Sequence, residues 1–201
     1  MQKLLIATGN KGKVKEIQAL LDGLEVALVT PKDLGLDIEV EEDGATYEAN
    51  AGKKARVYSQ ASGLVALADD SGLEVDALGG EPGLYSARYS GNLGASDADR
   101  RIFLLSKLAG KPRPWSAHFH ATIAVATPDG LVQFATGNCF GEIIPEERGT
   151  GGFGYDPIFF IPEMNCTMAE LSMEEKNRLS HRALAVRQAL PFLQKLMNPR
   201  F

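Results

Sequence analysis

The chain has 201 residues, and its 21 lysines and arginines against 26 aspartates and glutamates leave a net charge of −5 at pH 7. That is one domain's length with material for a substantial core; a net anionic surface argues against a nucleic-acid partner but leaves room for a local cation cluster around a small anion. Two cysteines, Cys139 and Cys166, form neither a CxxC pair nor a disulfide framework, and the apolar run after Met1 lacks a cleavage pattern. No run approaches the ~18 apolar residues of a membrane span, so the expectation is a cytoplasmic protein with no membrane partner.

In chain order, KLLIAT (Lys3 to Thr8) is short, apolar and closed by GNKGK, which reads as a strand. Val14, Ile17, Leu20 and Leu21 then share a helical face, and Gly23 stops that helix. Val26 to Thr30 is the next strand. After the acidic DIEVEEDG, Thr46 suits the N-cap of a helix reaching about Ser62, with Gly63 beyond it. LVALA (Leu64 to Ala68) reads as a strand that ends by delivering the chain into Asp69, Asp70 and a Ser-Gly turn; LEVDALGG after it is strand or extended chain. Residues 85–95 read as a loop and 97–108 as a helix.

Ser116 to Thr127 and Leu131 to Ile143 alternate over long runs, and PDG joins them into an antiparallel hairpin. Beyond the glycine-rich RGTGGFGYDPIFF the chain turns helical. TMAE (167–170) and SMEE (172–175) both fit the capping-box pattern, and Pro191 is placed to kink or interrupt the last helix. Mixed strands and helices around a central hairpin give an α/β or α+β architecture, without internal repeats or a low-complexity linker.

Several stretches carry chemistry. TGNKGK lies between a strand and a helix, where backbone N–H groups and the helix dipole favour an anion, and Lys11 and Lys13 point to phosphate. It is no P-loop, because its glycines are too close and Val14 stands where Ser or Thr is needed. GTGGFG contains G-x-G-x-x-G, yet YDPIFFIP follows in place of a helix, which excludes a dinucleotide fingerprint. Such glycines still let a ligand approach the backbone, and Phe153 can stack on a flat ring. His118 and His120 share a strand face but have no third ligand nearby in sequence, and read as structural. EKNRLSHR gathers Lys176, Arg178, His181 and Arg182, with Ser180 placed to cap a fresh helix. Asp69 and Asp70, as strand neighbours, face opposite ways, so a metal-binding partner for either comes from elsewhere, with Glu39, Glu41 and Glu42 on offer.

Taken together, TGNKGKVKEI, EEDGATYEANAGKKA, ADDSGLEVDALGGEPGLYSARYSG, GTGGFGYDPIFF and MEEKNRLSHR resemble, in this order, the inosine/xanthosine triphosphate pyrophosphatases. Those enzymes convert noncanonical (deaminated) purine nucleoside triphosphates to the monophosphate and pyrophosphate. The resemblance implies an α/β (mixed) fold: an elongated mixed sheet with flanking helices in one two-lobed domain over residues 1–201, the active cleft between the lobes. It also implies a Mg²⁺ requirement, a purine nucleoside triphosphate substrate and a homodimer. Carried over, Asp70 is the general base and a metal ligand, with Glu41 as second metal carboxylate. Thr8, Gly9, Asn10, Lys11, Gly12 and Lys13 hold the triphosphate with Lys54, which the family's NAxxK pattern picks over Lys53. Ser71 contacts substrate, Phe153, Gly154, Tyr155 and Asp156 line the base pocket with Phe153 stacking, and Lys176, His181 and Arg182 close over the base.

The residues agree with that chemistry. Cleavage between the α- and β-phosphates needs a water activated near the α-phosphorus, which a carboxylate can deprotonate. Donors from His181 and Arg182 would pair with the C6 oxygen of hypoxanthine or xanthine and be left unsatisfied by the amino group of adenine. Two other readings stand beside this one: a pyrophosphatase of modified pyrimidine nucleotides, and a nucleotide-sensing module without turnover.

Overall fold

The computed structural model describes residues 1–92 and 94–198. Its first strand, β1 (Lys3–Ile6), is apolar on both faces because it is an interior strand. It runs parallel to β2 (Ala27–Val29) on one side and to β3 (Val65–Val75) on the other. β4 (Trp115–Ala126), β5 (Val132–Ile143), β6 (Phe159–Ile161) and β7 (Cys166–Thr167) follow, and the seven-stranded mixed sheet has the order β2-β1-β3-β4-β5-β6-β7. β6 is antiparallel to both β5 and β7. The helices are α1 (Lys11–Leu20), α2 (Tyr47–Ser62), α3 (Asp97–Leu108), α4 (Met173–Leu179) and α5 (His181–Met197).

The chain divides into two compact units, and β3, β4 and β5 each contribute to both. The first takes Met1–Asp70, Ala121–Gly137 and the chain from His181 onward; the second takes Ser71–His120 and Asn138–Ser180. In the first unit strand alternation sorts the core into two layers. Leu4, Ile6, Leu67, Ile123 and Val125 pack with Ile17 and Leu21 of the α1 segment and with Val186 and Leu193 of α5. Leu5, Ala66, Ala68, Ala124 and Ala126 pack with Ala51, Ala55 and Tyr58 of α2. In the second unit Leu73, Val75, Trp115, Phe119, Ile143 and Phe159 form a core with Leu104 and Leu108 of α3. The Phe119 and Phe159 ring centroids lie 4.6 Å apart there.

The hairpin, the capped α2 and the SMEE cap of α4 all form: Ser172 and Glu175 make both bonds of the capping box. Three elements differ from the sequence expectation. β3 does not end at the aspartates; it continues unbroken through Asp69, Asp70, Ser71 and Gly72 to Val75. TMAE opens no helix: Glu170 accepts from the Thr167 backbone, but the hydroxyl that would cap a helix donates to the Arg148 carbonyl, and the segment closes as a local turn after β7. Pro191 does not interrupt α5: it sits on the exposed face, where water can replace the lost backbone bond, while Ala185, Val186, Ala189 and Leu193 hold the other face in the core. Within the expected 85–95 loop, a 3₁₀ turn over Gly83–Arg88 supplies a short ordered piece.

Candidate active site

Thr8, Gly9 and Asn10 connect β1 to α1. Asn10 is the N-cap, its side chain accepting from the Lys13 backbone at 3.1 Å, and its own N–H donates to Thr8 Oγ1 at 3.2 Å. The first turn of α1 holds no acidic residue, and Lys11 and Lys13 stand there instead. Cations at the positive end of a helix dipole are unfavourable alone and become favourable when an anion is present.

Strand parity explains how the two aspartates are used. Asp69 shares the face of Leu67, which α1 and α5 cover, and three groups from those helices meet it or its partner. Lys13 forms an ion pair with Asp69. Arg182 Nε donates to Asp69 Oδ2 at 3.1 Å, and another arm of the guanidinium pairs with Glu16. Asp69 is buried at 0% exposure and Arg182 at 1%, with Glu16 buried too and Lys13 partly so. Burial alone would raise the Asp69 carboxyl; Arg182 and Lys13 together hold it far below the ordinary carboxylate range. Lys13 moves the other way. Burial lowers it more than Asp69 raises it, and Lys54 and Arg182 add repulsion. Because Asp69 is shared with Arg182, Lys13 is the partner left short of negative charge.

Asp70 has the parity of Ala66 and Ala68, the α2 side. Its carboxyl is raised, first by burial and further by Glu42, against the pull of Lys54 and Lys13 and a hydrogen bond from Asn50. Asn50 and Lys54 stand one helical turn apart on α2. Asn50 Oδ1 accepts from Gly44 N–H at 2.7 Å, which ties down the acidic segment. Lys54 Nζ donates to the Asp69 carbonyl at 2.7 Å and to Glu42 at 2.5 Å.

The sequence-derived set is therefore partly gathered in the first unit: the Thr8 to Lys13 loop, Lys54 and Asp70. Lys54 turns inward and is buried, whereas Lys53 is half-buried and pairs with the exposed Asp43. Glu41 is exposed, and its neighbour Glu42 is the carboxylate that pairs with Lys54 and acts on Asp70. Arg182, expected over the base, has its guanidinium engaged by Asp69 and Glu16, and His181 is buried as the first residue of α5. Ser71 follows Asp70 in β3 and is half-buried. Sequence reasoning missed Glu16 and Asn50, and it offered Glu42 only as one of three carboxylates before the resemblance picked Glu41. The Asn50–Lys54 spacing was a usable signal; nothing local marks Glu16.

In the second unit Phe153, Gly154, Tyr155 and Asp156 form a tight turn. Asp156 Oδ2 accepts from Phe153 N–H at 2.9 Å and from Lys176 Nζ at 2.6 Å, and the Lys176 ammonium lies 5.4 Å from the Phe153 ring centroid. Gly152 has a φ of +70°, and a Cβ there would overlap the Asp156 carboxylate. Tyr155 is anchored by its hydroxyl, which donates to the Ser86 carbonyl at 2.9 Å. His118 and His120 have ordinary partners, Glu74 at 3.4 Å and Asn138 at 2.7 Å.

A mixed α/β sheet, a strand-to-helix loop lined with lysines and a buried carboxyl of raised proton affinity define a class: proteins whose chemistry suits a small polyanion. Within that class the assignment is specific, because the sequence model of the Ham1 family matches residues 4–192 and this chain belongs to that family. The dITP/XTP pyrophosphatase of Geobacter sulfurreducens is 52% identical over 187 residues, which cover 92% of this chain and 94% of that protein. The dITP/XTP pyrophosphatase of Desulforamulus reducens is 48% identical over 195 residues, 96% of each. Among solved structures, the HAM1 protein from Coxiella burnetii superposes with a TM-score of 0.87 at 39% identity, covering 97% of this chain and all of the other.

Proposed function

We propose that this protein hydrolyses deaminated purine nucleoside triphosphates (ITP, dITP and XTP) to the monophosphate and pyrophosphate, and so keeps them out of DNA and RNA. The observation that carries the reading is the near-full-length identity to dITP/XTP pyrophosphatases, joined to a buried Asp70 set among lysines. It works in the cytoplasm, as a homodimer.

In this reading the α1 N-terminus, Lys13 and Lys54 bind the triphosphate. Asp70 takes a proton from water as that water attacks the α-phosphorus; the bond from the α-phosphorus to the bridging oxygen breaks, and pyrophosphate leaves. A carboxyl raised above its ordinary value is a better base than an exposed one. Lys13 and Lys54 offset charge on the departing group. Asp70 and Glu42 are hard oxygen donors acting on one another, a donor set that fits Mg²⁺ arriving with substrate phosphates; Glu41 is the second candidate. Among the described residues no group of three or more His, Cys, Asp or Glu is disposed to hold a metal, which suits an ion completed by substrate and water rather than an all-protein cage. Bound there, Mg²⁺ would neutralise phosphate charge and polarise the phosphoryl oxygens.

Selectivity rests on Lys176 and Asp156. Lys176 only donates and an ionised Asp156 only accepts, 2.6 Å apart. Side by side they complement the C6 oxygen and N1–H of hypoxanthine or xanthine. Adenine presents the inverse, an amino donor and a bare N1. Phe153 stacks on either ring, with Gly154 and Tyr155 shaping the turn beneath it. Ser71 and His181 remain candidate substrate contacts.

Hydrolysis of ITP in ¹⁸O-water tests the reaction. One inosine monophosphate and one pyrophosphate per ITP are expected, with the label in the monophosphate. Release of orthophosphate, or label in pyrophosphate, would overturn the assignment.

A further inference from the structure

Gly154 sits inside the base-side turn at a φ of +62°, and a Cβ there would meet nothing within 4 Å. The neighbours leave room for a side chain, so what singles this residue out is its left-handed conformation, and that conformation is gripped from outside. Asp97 Oδ2 accepts from Gly154 N–H at 2.7 Å, and Arg101 Nη1 donates to Gly154 C=O at 2.8 Å. These groups belong to the two peptide units flanking the Gly154 α-carbon, so together they set its φ and ψ.

Both gripping residues come from the first turns of α3, 57 and 53 residues away in sequence. Helix capping does not require Asp97, because Ser96 and Asp99 already make both bonds of a capping box. Asp97 also pairs with Arg100. Arg101 is itself oriented: its Nε and Nη2 donate to the two oxygens of Glu147 at 2.8 and 2.9 Å, which leaves Nη1 aimed at Gly154. A bidentate fork of this kind is geometrically stiff. A solvated helix face would account for the Asp97–Arg100 pair; it would not account for two separate bonds converging on one glycine.

We infer that Asp97 and Arg101 are positioning residues for substrate selection: by clamping Gly154 they hold the Phe153 ring and the Asp156 carboxylate in register for the base. The inference rests on the base-binding role proposed above for Phe153 and Asp156. Loss of the clamp releases the turn that carries both, and leaves the lysines that bind phosphate as they are.

The test compares Asp97→Ala, Asp97→Asn and Glu147→Gln with the wild type, reading steady-state ITP kinetics and calorimetric binding of inosine monophosphate and of pyrophosphate. Asp97→Ala is expected to raise KM for ITP and Kd for inosine monophosphate about 10-fold, the scale of one charge-assisted hydrogen bond, with Kd for pyrophosphate and kcat within about 3-fold of wild type. Asp97→Asn, which can still accept from Gly154, is expected to recover most of the loss, and Glu147→Gln to show a smaller shift of the same kind. Equal weakening of both ligands, a fall in kcat alone, or no rescue by Asn would overturn the inference. Thermal unfolding checks the fold, and Glu147→Gln carries the test should Asp97→Ala fail to fold. A wild type that binds inosine monophosphate without hydrolysing ITP would refute the proposed reaction, while the two binding constants would still decide the clamp.

Discussion

Replacing Arg182 by Met should be far more damaging to folding than to base selection. The guanidinium is 1% exposed and bonds to two carboxylates that are themselves buried, Asp69 and Glu16. Methionine fills much of the stem volume but leaves Glu16 without its arginine and Asp69 with Lys13 as its remaining side-chain cation in that ion-pair set. Removing one member of a buried ion-pair network costs about 3–5 kcal/mol. At about 2–4 °C per kcal/mol for a chain of this size, that is a fall in Tm of roughly 6–20 °C. Adding Glu16→Gln should recover part of the loss, because the buried carboxylate that lost its arginine is then neutral. The pH dependence has a definite sign. The folded Asp69 carboxyl is depressed by Arg182 and Lys13, so its contribution is fully present above the unfolded value, about 3.9, and is lost as pH falls below it. The gap between wild type and variant should therefore hold down to about pH 4 and narrow progressively from there toward about pH 2. Urea denaturation across that range is the assay. A loss under about 1 kcal/mol at pH 7, or a gap that does not change with pH, would refute the network account. The ratio of kcat/KM for ITP to that for ATP should be unchanged in Arg182→Met; a narrowed ratio would return Arg182 to the base.

Asp70→Asn should lower kcat by roughly 10²–10⁴-fold while pyrophosphate binding persists, read by stopped-time product assays and calorimetry; substantial retained turnover would remove Asp70 as the base. Lys54→Ala should raise KM for triphosphates strongly and Lys53→Ala hardly at all, since only Lys54 reaches the Asp69 carbonyl; equal effects would show that burial is a poor guide here. Gly152→Ala forces a left-handed alanine onto the Asp156 carboxylate, so nucleotide KM should rise with pyrophosphate affinity preserved; a neutral result would disconnect Asp156 from the base.

Much of the fold was legible because its signals are local. Apolar runs, Thr46 and Ser172 as caps, Gly63 as a stop and the alternating 116–143 pair all name their own elements. The reading failed where distant partners override local chemistry. Asp69-Asp70-Ser71-Gly72 has the composition of a turn, yet it remains strand because Lys13 and Arg182 neutralise Asp69 from helices 56 and 113 residues away. That Glu42 faces Lys54 has no local signal: an irregular acidic segment has no periodicity to orient it, and Asn50 does so by tethering Gly44. The ion-pair role of Arg182 has no local signal either, because its buried acceptors, Glu16 and Asp69, lie 166 and 113 residues earlier. Family motifs locate functional residues, but they do not say which of them carry the load of folding.

Discrimination by the Lys176–Asp156 pair is decided by kcat/KM for ITP, dITP, XTP, GTP and ATP, with pyrophosphate as the measured product and Mg²⁺ present. Each mispaired buried group costs about 1–3 kcal/mol, so the wild type should prefer ITP, dITP and XTP over ATP by about 30-fold or more when two are mispaired. Equal kcat/KM for ITP and ATP, or pyrophosphate release from neither ITP nor XTP, would contradict it.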